Sequence, residues 1–353
     1  MIEIPLPLQL QFYRALRRIR GVDERMQALQ RQGRVGFYGT CTGQEAVPVA
    51  LGFALQPSDW VFPALRESSV LLVRGFSLIS YLSQVFGSDR DVLKGRQMPS
   101  HMSGRSANVV SWSSCIGTQL THAVGAAWAA KMRHENMVSA ACLGDGATSS
   151  ADFHSALNFA QVFRVPCVFV CQNNQWAIST PAARQSNTAT FADRALAYAM
   201  PAERLDGNDV CALYLAFQRA AERARTGLGP TFLECVTYRV GPHSTSDDPT
   251  LYRSDAEVSQ WRARDPIARL ARSLEAHGAL DAARNQALDF ELNAELDAAL
   301  SVAEGAPPPP RASLFDDVYA ELPRHLLEQR KELFTPAKPS AHSAGQEVPD
   351  KPL

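Results

Sequence analysis

The sequence predicts an α/β fold, a doubly wound parallel sheet with helical extensions at its N- and C-terminal ends. In the middle of the chain, near-continuous apolar runs alternate with amphipathic stretches, which is typical of parallel strands covered by helices on both faces. The length of 353 residues suits two ordinary domains or one large α/β domain. The composition, 46% hydrophobic and 20% charged, is that of a globular protein.

The N-terminal region, residues 1–40, is predicted to be a helical extension. Its apolar side chains recur at three- and four-residue spacings, at Leu8, Phe12, Leu16, Ile19, Met26 and Leu29. A short helix over 44–55, a possible strand in DWVFP and a second helix through 71–86 follow. The loop at 87–114 is rich in Gly, Ser and Pro, and ordered loops of this length are usually functional.

The βα units begin near residue 116, and we assign residues 41–250 to the α/β domain. The predicted elements are helix 119–133, strand 138–143, helix 152–163, strand 166–172, helix 210–226 and strand 231–238. Residues 251–335 form a predicted C-terminal helical region, with helix at 256–303 and 314–334 around the linker GAPPPPR. The tail at 336–353 is rich in Pro, Ser and charge and is predicted to be disordered.

Charge and apolar pattern exclude two classes of partner. The net charge is −1 without a long basic run, so we expect no nucleic-acid partner. No apolar stretch is long enough to predict a membrane span, and the N-terminus resembles neither a signal peptide nor an organelle leader, so we expect a bacterial-type cytoplasmic protein. The seven cysteines form no CxxC pair and are predicted to be reduced, buried and inert.

Polar residues follow two of the predicted strands directly. Gly-Asp-Gly at 144–146 ends one strand, and Asn-Asn at 173–174 ends the next. The intervening residues 147–172 suffice for one crossover helix and one strand, which predicts that both signals lie at adjacent strand ends. Carboxylate and amide oxygens suit Mg²⁺, which takes few carboxylates and completes its octahedron with phosphate and water.

Each of these two signals is weak by itself. Gly-Asp-Gly is most often a turn, and Asn-Asn is common in loops and helix caps. The paired spacing is similar to the thiamine diphosphate motif. A dinucleotide site is disfavoured because Ala-Thr-Ser, rather than a further glycine, follows the Gly-Asp-Gly.

Longer segments make the resemblance specific over residues 10–334. They are RQGRVGFYGT, LKGRQMPSH, TQLTHAVGAAWAAK, LGDGATSSADFHSALNFA, CQNNQWAISTP, RLDGNDV, TYRVGPHSTSDDPTLYRS and LFDDVYAELP. The chain resembles the alpha subunits of the decarboxylating component of 2-oxoacid dehydrogenase complexes, most closely the branched-chain type. The resemblance implies the thiamine-diphosphate-binding type of α/β fold, with half an active site on this chain.

The resemblance also implies partners and a substrate class. A beta subunit would complete the site in an α₂β₂ heterotetramer, which docks on a lipoyl acyltransferase core. The implied activity is decarboxylation of branched-chain 2-oxoacids, derived from Val, Leu and Ile, and reductive acylation of the lipoyl group. Pyruvate and acetoin remain alternative substrates within the family, and a non-catalytic assembly or regulatory subunit is the alternative from another class.

Individual roles carry over by position. The implied cofactor-binding residues are Arg66, Ile116, Gly144, Asp145, Gly146, Ala147, Gln172, Asn174 and His243. Arg66 would hold the diphosphate, and Ile116 would be the apolar wedge that keeps the cofactor bent. The implied Mg²⁺ ligands are Asp145, Asn174 and the backbone carbonyl of Trp176. The implied K⁺ ligands are Ser113, the carbonyl of Cys115, Thr118 and Gln119.

His243 matches a histidine at the cofactor phosphates that accepts the lipoyl group. An imidazole with its ordinary pKa near 6.5 could donate a proton there at neutral pH, so we expect a catalytic role for it. His101 has two interpretations, a structural loop histidine or a residue of the active site.

The chain also departs from the family pattern. Ala64 and Leu65 precede Arg66 where the family often has polar or aromatic residues, and Gln172 replaces an arginine of the animal branched-chain type. Because a charge-assisted contact contributes about 1.5 to 3 kcal/mol and a neutral one about 0.5 to 1.5 kcal/mol, we expect a cofactor affinity about ten-fold weaker.

Overall fold

The computed structural model describes residues 4–335. The helices are α1 (Leu6–Arg31), α2 (Ala46–Ala54), α3 (Val70–Val73), α4 (Leu78–Phe86), α5 (Thr118–Met132), α6 (Ala151–Val162), α7 (Asp193–Leu196), α8 (Val210–Arg225), α9 (Asp255–Arg262), α10 (Pro266–Ala276), α11 (Ala282–Glu304) and α12 (Arg324–Phe334). The strands are β1 (Trp60–Phe62), β2 (Ser139–Gly144), β3 (Cys167–Asn173), β4 (Trp176–Ala177), β5 (Thr180–Pro181), β6 (Ala202–Asp206) and β7 (Thr231–Val236).

The main sheet is parallel throughout, in the order β1-β2-β3-β7-β6, and β4 and β5 form a small antiparallel ribbon. β2 and β3 are neighbours, with Gly144 opposite Gln172. The two strand ends that carry Gly-Asp-Gly and Asn-Asn are therefore adjacent, which confirms the prediction made from their spacing.

Alternate residues of the central strands enter two separate hydrophobic cores. On β2, Ala140 and Cys142 pack into a core shared with α1, α2, α4, α8 and α10, whereas Ala141 and Leu143 pack into a core shared with α5, α6 and α7. Because both faces of the sheet are covered by helices, the doubly wound prediction is confirmed.

Residues 4–308 form one compact unit, which continues across the positions 40 and 250 where composition indicated boundaries. Inside it, α1 packs against α10 and α11. A row of arginines on and just after α1 forms ion pairs with α11, namely Arg14–Glu291, Arg17–Asp289, Arg18–Glu295, Arg25–Asp297 and Arg34–Glu304. A second unit begins at residue 309 and contains α12.

Several predicted helices are wrong in extent because local breakers interrupt them. Gly75, at φ +85°, separates α3 from α4. Pro266 starts α10 behind an Asp265 N-cap, and Gly278, at φ +67°, precedes α11, so the predicted helix 256–303 is three helices. The last helix begins at Arg324 instead of residue 314.

Further differences between the sequence prediction and the structure concern which side chains are exposed. The sequence prediction missed β6 because this strand lies at the edge of the sheet and carries mostly exposed side chains. Cys115 is exposed and Cys211 half-buried, so the prediction of seven buried cysteines is wrong for these two. Across residues 4–335, no helix is long and apolar enough to cross a membrane. The tail predicted to be disordered, 336–353, lies outside the described residues.

Candidate functional site

A cavity of about 520 Å³ lies at the carboxyl ends of β2 and β3, where parallel α/β sheets bind ligands. It is lined by ten residues that the resemblance implied for cofactor or Mg²⁺ binding: Arg66, Ile116, Gly144, Asp145, Gly146, Ala147, Gln172, Asn174, Trp176 and His243. Of the implied K⁺ ligands, Ser113 and Gln119 also line it, whereas Cys115 and Thr118 do not.

The end of β2 supplies a buried carboxylate on a tight turn. Asp145 is 1% exposed and begins a 3-10 turn, Asp145–Ser149. Burial raises the pKa of Asp145, and a hydrogen bond from Gln185 Nε2 to its Oδ2, 2.6 Å long, opposes that rise. A Cβ on Gly146 would come within 2.7 Å of Ala177 Cβ, so the close approach of these two segments requires glycine at 146.

The end of β3 presents two amides that meet a third, Gln44. Asn174 Nδ2 donates to Gln44 Oε1 at 2.9 Å, and Gln172 Nε2 lies 3.2 Å from the same oxygen. Gln172 Oε1 is buried and has no hydrogen-bond partner. Such an orphaned acceptor at the cavity wall indicates a missing donor, since buried polar atoms are normally satisfied. Gln44 was not predicted as a site residue.

Arg66 follows β1 and is buried. Its guanidinium donates to Thr40 O and, at 2.7 Å, to His243 O. The segment that carries Thr40 is in turn held by the buried carboxylate of Asp23, which accepts hydrogen bonds from Tyr38 Oη, Cys41 N and Thr42 Oγ1. The conformation of this glycine-rich segment therefore positions the arginine.

Arg239, which follows β7, is a site residue that sequence reasoning missed. It is 1% exposed and donates to Trp176 O at 3.2 Å, Ile178 O at 2.6 Å and Tyr252 Oη at 2.8 Å. Its Nε is buried without a partner, and its Nη1 lies 3.5 Å from His243 Nδ1. The available signal was its position, four residues before His243 in the same matching segment.

The guanidiniums of Arg66 and Arg239, with the imidazole of His243 beside them, form a cationic cluster on one wall of the cavity. Both guanidiniums donate to backbone carbonyls, and that of Arg239 also to Tyr252 Oη, whereas neither forms an ion pair with a carboxylate of residues 4–335. Burial and the neighbouring Arg239 lower the pKa of Arg66 to about 10. Burial and both arginines lower the pKa of His243 to about 4, so the expectation of an ordinary pKa near 6.5 is wrong for the protein without an anion. Two buried guanidiniums that form no ion pair with a carboxylate of residues 4–335 predict an anionic ligand.

Next to this cluster, three oxygen atoms of the same cavity could be ligands of a hard cation. They are the Asp145 carboxylate, the Asn174 side-chain amide and the Trp176 carbonyl, and each accepts a hydrogen bond, from Gln185, Trp176 N and Arg239 respectively. Mg²⁺ prefers such oxygens and usually takes one or two carboxylates. The residues present therefore fit a magnesium ion bridged to phosphate oxygens.

The turn that leads into α5 contains the residues implied for K⁺. Cys115 O accepts from Thr118 Oγ1 at 3.0 Å, and Cys115 N donates to Ser113 Oγ at 3.2 Å. Gln119 points elsewhere, because its Nε2 donates to Cys142 O at 2.9 Å. The structure thus brings Ser113 and Thr118 into contact with the backbone of Cys115, but not Gln119.

Ile116 is 63% exposed at the cavity, an unusual position for a large apolar side chain. Nearby, His101 supports the loop: its Nε2 lies 2.6 Å from Ser114 Oγ, its Nδ1 lies 3.1 Å from Pro99 O, and its ring packs against Trp112. Ser114 and Trp112 line the cavity but His101 does not, so His101 contacts the site only through them.

Known proteins resemble this chain over most of its length. Residues 13–311 match the family model described as dehydrogenase E1 component. The 2-oxoisovalerate dehydrogenase subunit alpha of Pseudomonas aeruginosa is 42% identical over 327 residues, 91% of this chain and 80% of that protein. The 3-methyl-2-oxobutanoate dehydrogenase subunit alpha of Mycobacterium tuberculosis is 43% identical over 318 residues, 89% and 83%.

A mammalian relative is similar as well. The mitochondrial 2-oxoisovalerate dehydrogenase subunit alpha of Homo sapiens is 39% identical over 331 residues, which are 94% of this chain and 74% of that protein. Family model and relatives agree with the observed α/β fold. The chain belongs to the dehydrogenase E1 component family, and this membership implies dependence on thiamine diphosphate.

Proposed function

We propose that this chain is the alpha subunit of a heterotetrameric dehydrogenase that decarboxylates branched-chain 2-oxoacids and transfers the acyl group to lipoyl. The names of the relatives in bacteria and mammals support the substrate class. The observation that supports the cofactor assignment is the cavity itself, which brings two buried arginines without carboxylate partners together with the oxygen atoms at the strand ends.

The cationic cluster would hold the diphosphate. Arg66 and Arg239 already have their guanidiniums ordered by backbone carbonyls, so little side-chain entropy is lost when the anion binds. Gly144 and Gly146 allow the backbone of the β2 end to approach the ligand closely, and Ala147 adds the next backbone group of the turn.

The oxygen donors would hold Mg²⁺. Asp145 would supply the charge, and Asn174 and the Trp176 carbonyl would exchange their present N–H donors for the cation. Phosphate oxygens and water would complete the octahedron. K⁺ would order the turn at Ser113, Cys115 and Thr118, in which both side-chain hydroxyls already bind the backbone of Cys115.

Thiamine diphosphate supplies the nucleophilic carbon and the electron sink for loss of CO₂, and the protein supplies orientation and protonation. Ile116 would be the apolar wedge under the bent cofactor, which accounts for its exposure in the single chain. Besides Asp145, the cavity contains the carboxyl of Glu67, whose pKa burial raises to about 7. Because Glu67 Oε2 accepts from Ala64 N, we assign it to the turn and the proton-handling carboxylate to a beta subunit.

The test is to produce the chain with a beta subunit and titrate it with thiamine diphosphate and Mg²⁺ by calorimetry. Oxidative decarboxylation of 2-oxoisovalerate and of pyruvate is then compared with oxidative carbon–carbon cleavage of acetoin, which has no carboxyl group, each followed with an artificial electron acceptor. We expect Mg²⁺-dependent binding and a preference for the branched substrate. Faster turnover of pyruvate or acetoin would reassign the substrate, and absent cofactor binding would favour a non-catalytic assembly or regulatory subunit.

Because His243 lines the cavity beside both arginines, it would contact the diphosphate and an arriving lipoyl group. We expect His243→Ala to impair acyl transfer to a free lipoyl domain more than decarboxylation, because transfer needs a proton as the dithiolane ring opens. Equal losses in both assays would make His243 chiefly a phosphate-binding residue. Binding of the α₂β₂ protein to a lipoyl acyltransferase core tests the remaining proposed partner.

A further inference from the structure

We propose that Gln185 is a positioning residue of the magnesium site, where its side-chain amide orients the Asp145 carboxylate for the cation. This inference rests on the Mg²⁺ site proposed above. Gln185 lies forty residues from Asp145 in the chain, in the segment that follows the ribbon β4–β5, and sequence reasoning did not select it.

The contact with Asp145 is short and is made from a restrained side chain. Gln185 Nε2 donates to Asp145 Oδ2 at 2.6 Å and lies 3.2 Å from Thr180 O. An amide donor fixed on Oδ2 sets the rotation of the carboxylate and leaves Oδ1 as the oxygen for a cation. Metal-ligating carboxylates are usually held by such outer hydrogen bonds, and removal of one typically weakens metal binding 10- to 100-fold.

A closed ring of hydrogen bonds ties Gln185 to the turn that carries Asp145. Arg194 Nη2 donates to Gln185 O at 2.8 Å, and Arg194 Nη1 donates to Thr148 O at 2.6 Å and to Thr148 Oγ1 at 2.8 Å. Thr148 Oγ1 donates in turn to Asp145 O at 2.6 Å. The ring thus runs from Asp145 through Gln185, Arg194 and Thr148 back to Asp145.

The position of Arg194 is itself determined by packing. Its guanidinium stacks over the Phe191 ring, with 5.3 Å from Cζ to the ring centroid, and its Nε donates to Ser186 Oγ. Its hydrogen-bond acceptors are backbone carbonyls and hydroxyls, so it links two segments without neutralising Asp145. The carboxylate therefore keeps its charge for the metal while the ring fixes its direction.

An alternative role for Gln185 predicts the opposite change in metal affinity when its amide is removed. If the amide of Gln185 were a latch that occupies the carboxylate until the metal displaces it, removing the amide would strengthen metal binding. A positioning amide stays bonded to Oδ2 when the cation binds, so removing it weakens metal binding. The ring favours positioning, because Gln185 is bound to the same turn as Asp145 and does not need to move.

The test uses the full chain produced with its beta subunit and Mn²⁺ as the probe, titrated by electron paramagnetic resonance at saturating thiamine diphosphate. Gln185→Met keeps the length of the side chain but removes the donor, and we expect Mn²⁺ to bind 10- to 100-fold more weakly. Arg194→Met should weaken binding less, and the double variant should lose less than the sum of the two effects, because both act through one ring.

Gln161→Met is the matched control, because Gln161 lies on α6 outside the cavity and its amide likewise donates a hydrogen bond, to Ala199 O. It should leave Mn²⁺ affinity unchanged. Unchanged or tighter Mn²⁺ binding in a folded Gln185→Met protein would overturn the inference, as would additive effects of the two ring variants. If the wild-type protein showed no metal-dependent cofactor binding, the proposed magnesium site itself would fail instead.

Discussion

The two walls of the cavity differ in charge and in how the fold builds them. The oxygen wall comes from β2 and β3, adjacent strands whose ends carry Asp145 and Asn174. The cationic wall comes from loops after β1 and β7, which are separated in the sheet by β2 and β3. Arg66 and His243 nevertheless meet at 2.7 Å, because their loops reach across the ends of the two central strands.

The two walls therefore differ in how far they depend on contacts between segments that are distant in the chain. Neighbouring parallel strands joined by one crossover have adjacent ends almost by necessity, so the oxygen wall needs little tertiary structure to be correct. The cationic wall needs three segments in place: the turn at Arg66, the glycine-rich segment at Thr40 and the loop at His243. Substitutions on the two walls should therefore have different effects.

The largest effect is expected at the oxygen wall. Asp145→Ala should weaken Mg²⁺-dependent binding of thiamine diphosphate more than about 100-fold, beyond the cost of losing an outer hydrogen bond. It should leave the melting temperature of the ligand-free protein unchanged or higher, since a buried carboxylate with a raised pKa is removed. Calorimetry and thermal unfolding measure both effects. Asp152→Ala, at the start of α6, is the control, and wild-type affinity in the Asp145 variant would disprove the metal assignment.

On the cationic wall, Arg66→Met should weaken cofactor binding about ten- to hundred-fold, because it removes charge-assisted contacts of about 1.5 to 3 kcal/mol. The loss should persist at saturating Mg²⁺, whereas excess metal partly compensates the defect of the Gln185 variant. Titration at two Mg²⁺ concentrations distinguishes the two walls. Arg105→Met, an exposed arginine, serves as the control, and a loss that excess metal restores would assign Arg66 to the metal side.

Gln172 lies on the oxygen wall, at a position where an arginine would add a positive charge to the cavity. Gln172→Arg should tighten cofactor binding about tenfold, because a guanidinium adds a charge-assisted contact to the diphosphate. Since Arg239 already brings a guanidinium to this cavity, the gain should be larger in an Arg239→Met background. Calorimetry on the four combinations checks this, and weaker binding in both backgrounds would show that position 172 does not face the phosphates.

The smallest effect concerns protons. In the free protein the pKa of His243 is about 4, so the imidazole is neutral at pH 6. A bound diphosphate raises that pKa, so the complex takes up protons and cofactor affinity increases as the pH falls from neutral towards 5. Calorimetry at pH 6 in two buffers of different ionisation enthalpy measures the uptake.

His243→Asn should remove most of this proton uptake. Glu67 faces the same cavity, and its pKa of about 7 would also respond to the anion, so Glu67→Gln measures its share. Unchanged uptake in the His243 variant, with loss of uptake in the Glu67 variant, would transfer the effect to the carboxyl.

The sequence predicted the sheet and the oxygen wall because their signals are contiguous. Buried strands appear as apolar runs, and a polar cluster directly after such a run lies at the strand end. Edge strand β6 has no apolar run and was missed for that reason. Some helices were predicted to be too long because a single residue, such as Gly75 or Pro266, ends one helix and separates it from the next.

What the sequence by itself determined was therefore the doubly wound sheet, the adjacency of its two polar strand ends and, through longer motifs, the family. Only the tertiary structure decided which other side chains join the site. Arg239 looks like a surface cation until Tyr252 and the carbonyls of Trp176 and Ile178 enclose it. Gln185 has no local signal, because its partner carboxylate is distant in the chain, and an amide acquires a role only from the group that it contacts.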